Sequence, residues 1–269
     1  MKSFLASFAI LCSFLLVQCS PKNTSNVLST SEGQGIVNGI DVKQDDPLAK
    51  SIVMLTDGKV AFCTGTLIAK DIVLTAGHCM QAGDGKLYVG FSIDGTDKNV
   101  PKLRRHLITA TKRPDGFKVD KDNNFTVETD ALDLMIVKFD GGTPEGYVPA
   151  ELFEAPSIHP PELDKGTVVI PYGYGFTNMK KKSGLGPLRK THVVIDEPYY
   201  GRSEFATNEV NTGTCEGDSG GPVFLRLGEK YVVAGVTSRG SDNCEEYGIY
   251  TKVNAYTDWI KATVQEFSK

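Results

Sequence analysis

Ser219 stands in Gly217-Asp218-Ser219-Gly220-Gly221-Pro222, where glycines close on both sides let the backbone turn sharply around one hydroxyl. A serine hydroxyl is a weak nucleophile, and attack on a carbonyl needs a neighbouring base together with N–H donors aimed at the oxyanion. A base is available in Thr75-Ala76-Gly77-His78-Cys79, and a carboxylate directly precedes the apolar run of Asp133-Leu134-Met135-Ile136-Val137. In chain order these read His78, Asp133, Ser219, a set suited to acyl transfer: the carboxylate orients the imidazole, the imidazole takes the hydroxyl proton, and the oxygen attacks. Singly, a Gly-Asp-Ser-Gly-Gly run is a common polar turn and a lone histidine is commonly structural. Their joint occurrence in this order carries the chemistry.

With Ile36-Val37-Asn38-Gly39 upstream and Gly248-Ile249-Tyr250-Thr251-Lys252-Val253 downstream, the chain from Ile36 onward resembles the trypsin/chymotrypsin-like serine proteases. The resemblance implies an all-β fold of two packed antiparallel six-stranded β-barrels with a C-terminal α-helix, His78 and Asp133 coming from the first barrel and Ser219 from the second. It implies an oxyanion hole made by the backbone N–H groups of Gly217 and Ser219, and a hydrogen bond from Ser238 to the triad aspartate. It also implies a zymogen, in which cleavage between Gly35 and Ile36 frees an α-amine to pair with Asp218. Gly35 departs from the Lys or Arg that trypsin-type activators require, so the activating protease is expected to have another specificity.

Selectivity follows the same resemblance. Gly213, six residues before Ser219, matches the floor of the primary pocket, where trypsins carry Asp; Thr214 lines that floor, Gly240 and Gly248 match its open walls, and Ser238 lies beside it. Glutamate-specific relatives carry histidine at the position of Thr237. The expected preference is for uncharged apolar or aromatic residues before the scissile bond. Arg239, in place of the usual tryptophan, and Glu216 at the opposite rim are departures, read either as exposed charges or as contacts to charged substrate groups. Asp130, three residues from Asp133, is expected to be a solvated loop carboxylate.

Around these residues the chain must build a scaffold. Its 269 residues are 40% hydrophobic and 23% charged, enough for a substantial core. A formal net charge of -4, with Lys180-Lys181-Lys182 the one short basic run singled out, lacks the basic footprint of a nucleic-acid binder. Short β-rich runs between turn residues predict strands near 51–55, 64–69, 72–75, 86–91, 134–139, 167–172, 191–195, 222–227, 231–237 and 248–253. Trp259, Ile260, Val264 and Phe267 fall at helical spacing and predict an amphipathic helix over 255–267, packed on the second barrel with Trp259 in the core.

Residues 1–19 form a leader of signal-peptide length, with Lys2 at its start and an apolar run from Phe4 to Val17. Leu16-Val17-Gln18-Cys19-Ser20 resembles a bacterial lipoprotein signal, although Gln18 stands where a small residue is usual; lipidation at Cys19 and ordinary signal removal are alternatives. Residues 20–35 read as a pro-segment or linker and 36–269 as the protease domain. The expectation is an exported protein, secreted or periplasmic, held at a membrane only if lipidated at Cys19.

Outside the leader, Cys63, Cys79, Cys215 and Cys244 permit three connectivities, and an even count suits an oxidising compartment. Family resemblance selects Cys63–Cys79 and Cys215–Cys244. No Cys-x-x-Cys spacing suggests a metal site, and neither metal nor cofactor is expected. The partners are protein or peptide substrates and an activating protease. A catalytically inactive binding or adhesion protein is the rival class; such relatives commonly lose triad residues that this chain retains. An esterase of the Gly-x-Ser-x-Gly type is disfavoured, because no histidine follows Ser219.

Overall fold

The computed structural model describes residues 36–80, 85–96, 104–117 and 130–269; the leader and the linker expected over residues 1–35 lie outside the described residues. The first strand, β1 (Ile40–Asp41), is a short edge element. Next come β2 (Ile52–Thr56), β3 (Ala61–Ala69), β4 (Ile72–Thr75), β5 (Tyr88–Gly90), β6 (Arg105–Lys112) and β7 (Met135–Phe139), which close into an antiparallel barrel in the order β2-β3-β4-β7-β6-β5. The Ile-Val-Met-Leu-Thr of β2 and the Ile-Val-Leu-Thr of β4 are buried at every residue, as uninterrupted β-branched and apolar runs require.

The second half contributes β8 (Val168–Gly173), β9 (Arg189–Lys190), β10 (Val193–Glu197), β11 (Glu204–Asn208), β12 (Pro222–Leu227), β13 (Lys230–Gly240) and β14 (Tyr247–Lys252). The order β8-β10-β11-β14-β13-β12 is closed by antiparallel pairing of β12 with β8, Val223 opposite Pro171 and Phe224 opposite Ile170, giving a second six-stranded barrel. β9 and then β1 extend from β8. One apolar cluster holds Phe153, Val169, Val193, Phe205, Val223 and Tyr250 inside this barrel. A larger one runs from the first barrel to Tyr172, Phe224 and Val236 of the second, so the barrels share packed core.

The helix α1 (Thr257–Phe267) buries Ile260 and Thr263. Its last turn reaches the first barrel, where Lys112 of β6 bonds Glu266 at 2.5 Å and Lys138 of β7 donates to the carbonyl of Phe267. The helix therefore spans to β6 and β7 rather than resting on the second barrel alone, and Trp259 is half-buried at the margin of the core. Among the described residues, no helix is long and apolar enough to cross a membrane.

Candidate active site

β4 and β7 are antiparallel neighbours with Thr75 opposite Met135, so the residues following Thr75 and those preceding Met135 emerge at the same end of the first barrel. A single 3-10 turn, Gly77–Cys79, presents His78 there, and Asp133 lies two residues before β7. The His78 backbone N–H donates to Asp133 Oδ1 at 2.9 Å, and His78 Nδ1 lies 2.8 Å from Asp133 Oδ2. Because the partner of Nδ1 is a carboxylate, Nδ1 carries the proton and Nε2 is the basic nitrogen. Ser238 Oγ, from β13 of the other barrel, donates to the same Oδ2 at 2.7 Å, and Thr251 Oγ1 donates to the Asp133 carbonyl at 3.2 Å. Asp133 is fully buried, while the His78 side chain is 22% exposed.

Two devices brace the histidine turn, of which Arg113 was not singled out by motif reading and the Cys63–Cys79 disulfide was expected from the family resemblance. Arg113 Nε donates to the Gly77 carbonyl at 2.8 Å and its Nη2 to that of Met80, so one guanidinium holds both flanks. The Cys63–Cys79 disulfide ties the turn to β3.

The serine loop leads into β12. Gly217 has φ +99° and Gly220 φ +79°, a region that favours glycine. A Cβ on Gly220 would sit 2.0 Å from Thr75 Oγ1 and 2.5 Å from the Thr64 carbonyl, because the loop backbone presses directly on β3 and β4. Thr64 of β3 fixes it: its N–H donates to the Ser219 carbonyl at 2.8 Å, its Oγ1 donates to the Gly217 carbonyl at 3.0 Å, and that Oγ1 accepts the Tyr174 N–H at 3.2 Å. Neither the Gly217 nor the Ser219 N–H is taken by another described residue. Ser219 sits between two cavities: one of about 200 Å³ bordered by Thr214, Ser238, Arg239 and Gly240, the other of about 390 Å³ bordered by His78, Phe62 and Leu87. Glu216, exposed, lines both.

Asp218 turns inward. Its Oδ1 accepts the Gly175 N–H at 2.7 Å and its Oδ2 the Cys215 N–H at 2.8 Å. Burial pushes its pKa up to about 7, against those two N–H bonds, which favour the charge. The Cys215–Cys244 disulfide anchors the start of the loop. Upstream, Ile36 is fully buried at φ +43°, and Val37 bridges Gly213, whose N–H donates to the Val37 carbonyl at 3.3 Å.

Thr214 and Gly240 border the cavity beside Ser219, whereas Gly248, which pairs with Gly240 across β13 and β14, and Gly213 lie behind that border, both against Glu209. The expectation of an uncharged floor is corrected here. Glu209, fully buried, places its carboxylate against Gly213 and Gly248, and accepts from the Thr214 N–H at 2.8 Å and from Thr207 Oγ1 at 3.0 Å. Arg239 is tied up as well: Nη1 and Nη2 each donate to a Glu204 carboxylate oxygen at 2.8 Å, so it is not an exposed cation at the pocket rim. Burial works against that charge, and the Glu204 carboxylate outweighs it. Asp130 is exposed, yet more ordered than a solvated loop carboxylate, accepting from the Ser203 N–H at 2.6 Å and Ser203 Oγ at 2.9 Å.

Among the described residues, the one group with metal-ligand proximity is Cys63, His78 and Cys79; its two sulfurs are bonded to each other, leaving no thiolate to ligate an ion. What remains is a carboxylate–imidazole pair and a serine bordering one cavity, two N–H groups that no described residue takes, and a second cavity on the other side of the serine. Against known families, the model described as Trypsin matches residues 36–260.

Proposed function

The chain belongs to the trypsin family of serine peptidases, and on that premise we propose that it is an exported endopeptidase made as a zymogen and acting through His78, Asp133 and Ser219. The observation that carries this reading is the buried Asp133, which accepts both from the His78 ring and from Ser238 and so leaves Nε2 as the base. His78 takes the Ser219 proton as Oγ attacks the scissile carbonyl, and returns it to the leaving amine. The N–H groups of Gly217 and Ser219 receive the developing oxyanion, a contribution of roughly 3–4 kcal/mol per donor in such sites. Water then repeats the sequence on the acyl-enzyme.

Activation is read from Ile36 and Asp218. A β-branched residue at positive φ is a strained outlier, and scission of the Gly35–Ile36 bond removes the carbonyl carbon that defines this φ. The freed α-amine supplies the cation that buried Asp218 lacks. Two disulfides suit an exported protein, with residues 1–19 as its signal and Cys19 either lipidated or removed with it. The preference for apolar side chains rested on a floor without charge, and Glu209 changes that premise.

A fluorophosphonate probe tests the assignment. Protein beginning at Ile36 should be labelled at Ser219, and Ser219→Ala or His78→Ala should each lower turnover by roughly three to six powers of ten, with strongly non-additive effects in the double variant. Folded, processed protein that takes up no probe would instead be an inactive protease-like binding protein.

A further inference from the structure

Two glycines matched to the primary pocket by the family resemblance face one carboxylate. A Cβ on Gly213 would lie 2.2 Å from Glu209 Oε2, and a Cβ on Gly248 would lie 2.1 Å from Glu209 Oε1, so neither position admits a side chain while Glu209 is in place. The carboxylate thus occupies the space where a side chain at the floor position would project. It enters from ten residues before Ser219 rather than six.

Every hydrogen-bond partner of this carboxylate among the described residues is a neutral donor. Besides the Thr214 N–H and Thr207 Oγ1, they are Thr214 Oγ1, 3.3 Å from Oε2, and the Tyr250 hydroxyl, which makes a short bond to Oε1. Among the described residues, no Lys, Arg or His lies within ion-pair distance, and the buried carboxylate of Asp218 adds like charge nearby. A buried carboxylate without a counter-charge is expensive, and neutral hydrogen bonds offset only part of that cost. The cavity of about 200 Å³ runs between Ser219 and Thr214, the residue whose hydroxyl also touches Glu209. Glu209 itself does not border the cavity; Thr214 does, and the carboxylate lies directly behind its hydroxyl.

We propose that Glu209 is the specificity-determining residue of this pocket and that it selects substrates with Lys or Arg immediately before the scissile bond. The cationic head supplies the missing counter-charge; an apolar side chain leaves it missing. The inference rests on Ser219 being the nucleophile, and it reverses the apolar preference expected from Gly213 alone.

The test uses processed protein starting at Ile36, with its active sites first counted by fluorophosphonate labelling. Matched peptide substrates differing only before the scissile bond, Lys or Arg against Tyr or Leu, should then differ in kcat/KM by roughly 100-fold or more in favour of the cations. Benzamidine should slow the labelling. Glu209→Gln should shrink the Lys/Tyr ratio by roughly tenfold or more and weaken benzamidine protection. Labelled wild-type enzyme that prefers Tyr or Leu, or that benzamidine does not protect, overturns the proposal whether or not the variant folds. A cation preference fully retained in folded Glu209→Gln assigns selectivity elsewhere and also overturns it. Absence of labelling sinks the nucleophile assignment itself, and the pocket proposal falls with it.

Discussion

Keeping the peptide bond between Gly35 and Ile36 leaves Asp218 fully buried with two N–H bonds and no α-amine to pair with. Its carboxyl, ordinarily ionising near 3.8, ionises at about 7 in the fold, with burial the largest cause. A raised carboxylate pKa carries a stability cost that is absent below the unfolded value, grows as pH climbs, and is complete above the folded one. The penalty is about 2 kcal/mol at pH 5 and about 4 kcal/mol at pH 8. Unprocessed Ser219→Ala protein, which cannot cut itself, should therefore lose about 2–3 kcal/mol of stability to this residue between those pH values. Urea denaturation of that protein and of the same protein carrying Asp218→Asn measures the difference, since the asparagine contributes a pH-independent offset. In processed protein the paired α-amine should reverse the trend: the Asp218 carboxyl falls, the amine rises above its reference of about 7.7–8.0, and the pair is lost only as pH passes that raised value. The same dependence of stability on pH with and without Asp218→Asn in the unprocessed protein would refute the reasoning, as would equal turnover of extended and processed enzyme.

Ser238→Ala removes the second donor to Asp133 Oδ2 and should lower kcat roughly tenfold, about 1.4 kcal/mol, with Ser238→Thr restoring part of it in an ester assay. Glu204→Gln leaves the Arg239 charge without its carboxylate and should cost about 3–5 kcal/mol in urea, whereas Arg239→Met with Glu204→Leu should come close to wild type. Thr64→Val deletes the hydroxyl shared by Gly217 and Tyr174; it should destabilise by about 1–3 kcal/mol and slow fluorophosphonate labelling of the folded protein. Replacing Cys215 and Cys244 together by Ala should cost about 2–5 kcal/mol, read as a lower urea midpoint.

Strands built from continuous apolar runs were legible from residue types: 72–75 and 222–227 coincide with β4 and β12, β2 and β14 are displaced by one residue, and β7 starts one residue later than expected. β6 was not, because Arg105, His106 and Lys112 dilute its few apolar residues and most of the strand is only half-buried. β11 was not, because Glu204 and Thr207 read as polar although neighbouring strands bury both. Glu209 escaped for a related reason. It sits in Asn208-Glu209-Val210-Asn211-Thr212, which has the composition of a solvated turn, and pairing of β11 with β14 carries it beneath Gly248. A signal was present in two pocket positions both being glycine, read as open space when the space was filled from behind. Arg239 was visible as a departure, but its partner Glu204 lies 35 residues away and only the fold brings them together.

On the proposed mechanism, Thr64 makes hydrolytic competence conditional on assembly. It belongs to the first barrel, yet two of its bonds hold the Ser219 loop of the second, while Ser238 of the second barrel reaches back to Asp133 of the first. A chain folding from its N-terminal side can complete one barrel and possess base and acid, with no nucleophile in register. The converse half has a serine whose loop lacks its clamp. Cutting power is therefore an AND gate over the two halves, withheld from every partly folded form at the stage when the chain's own loops are the nearest substrate.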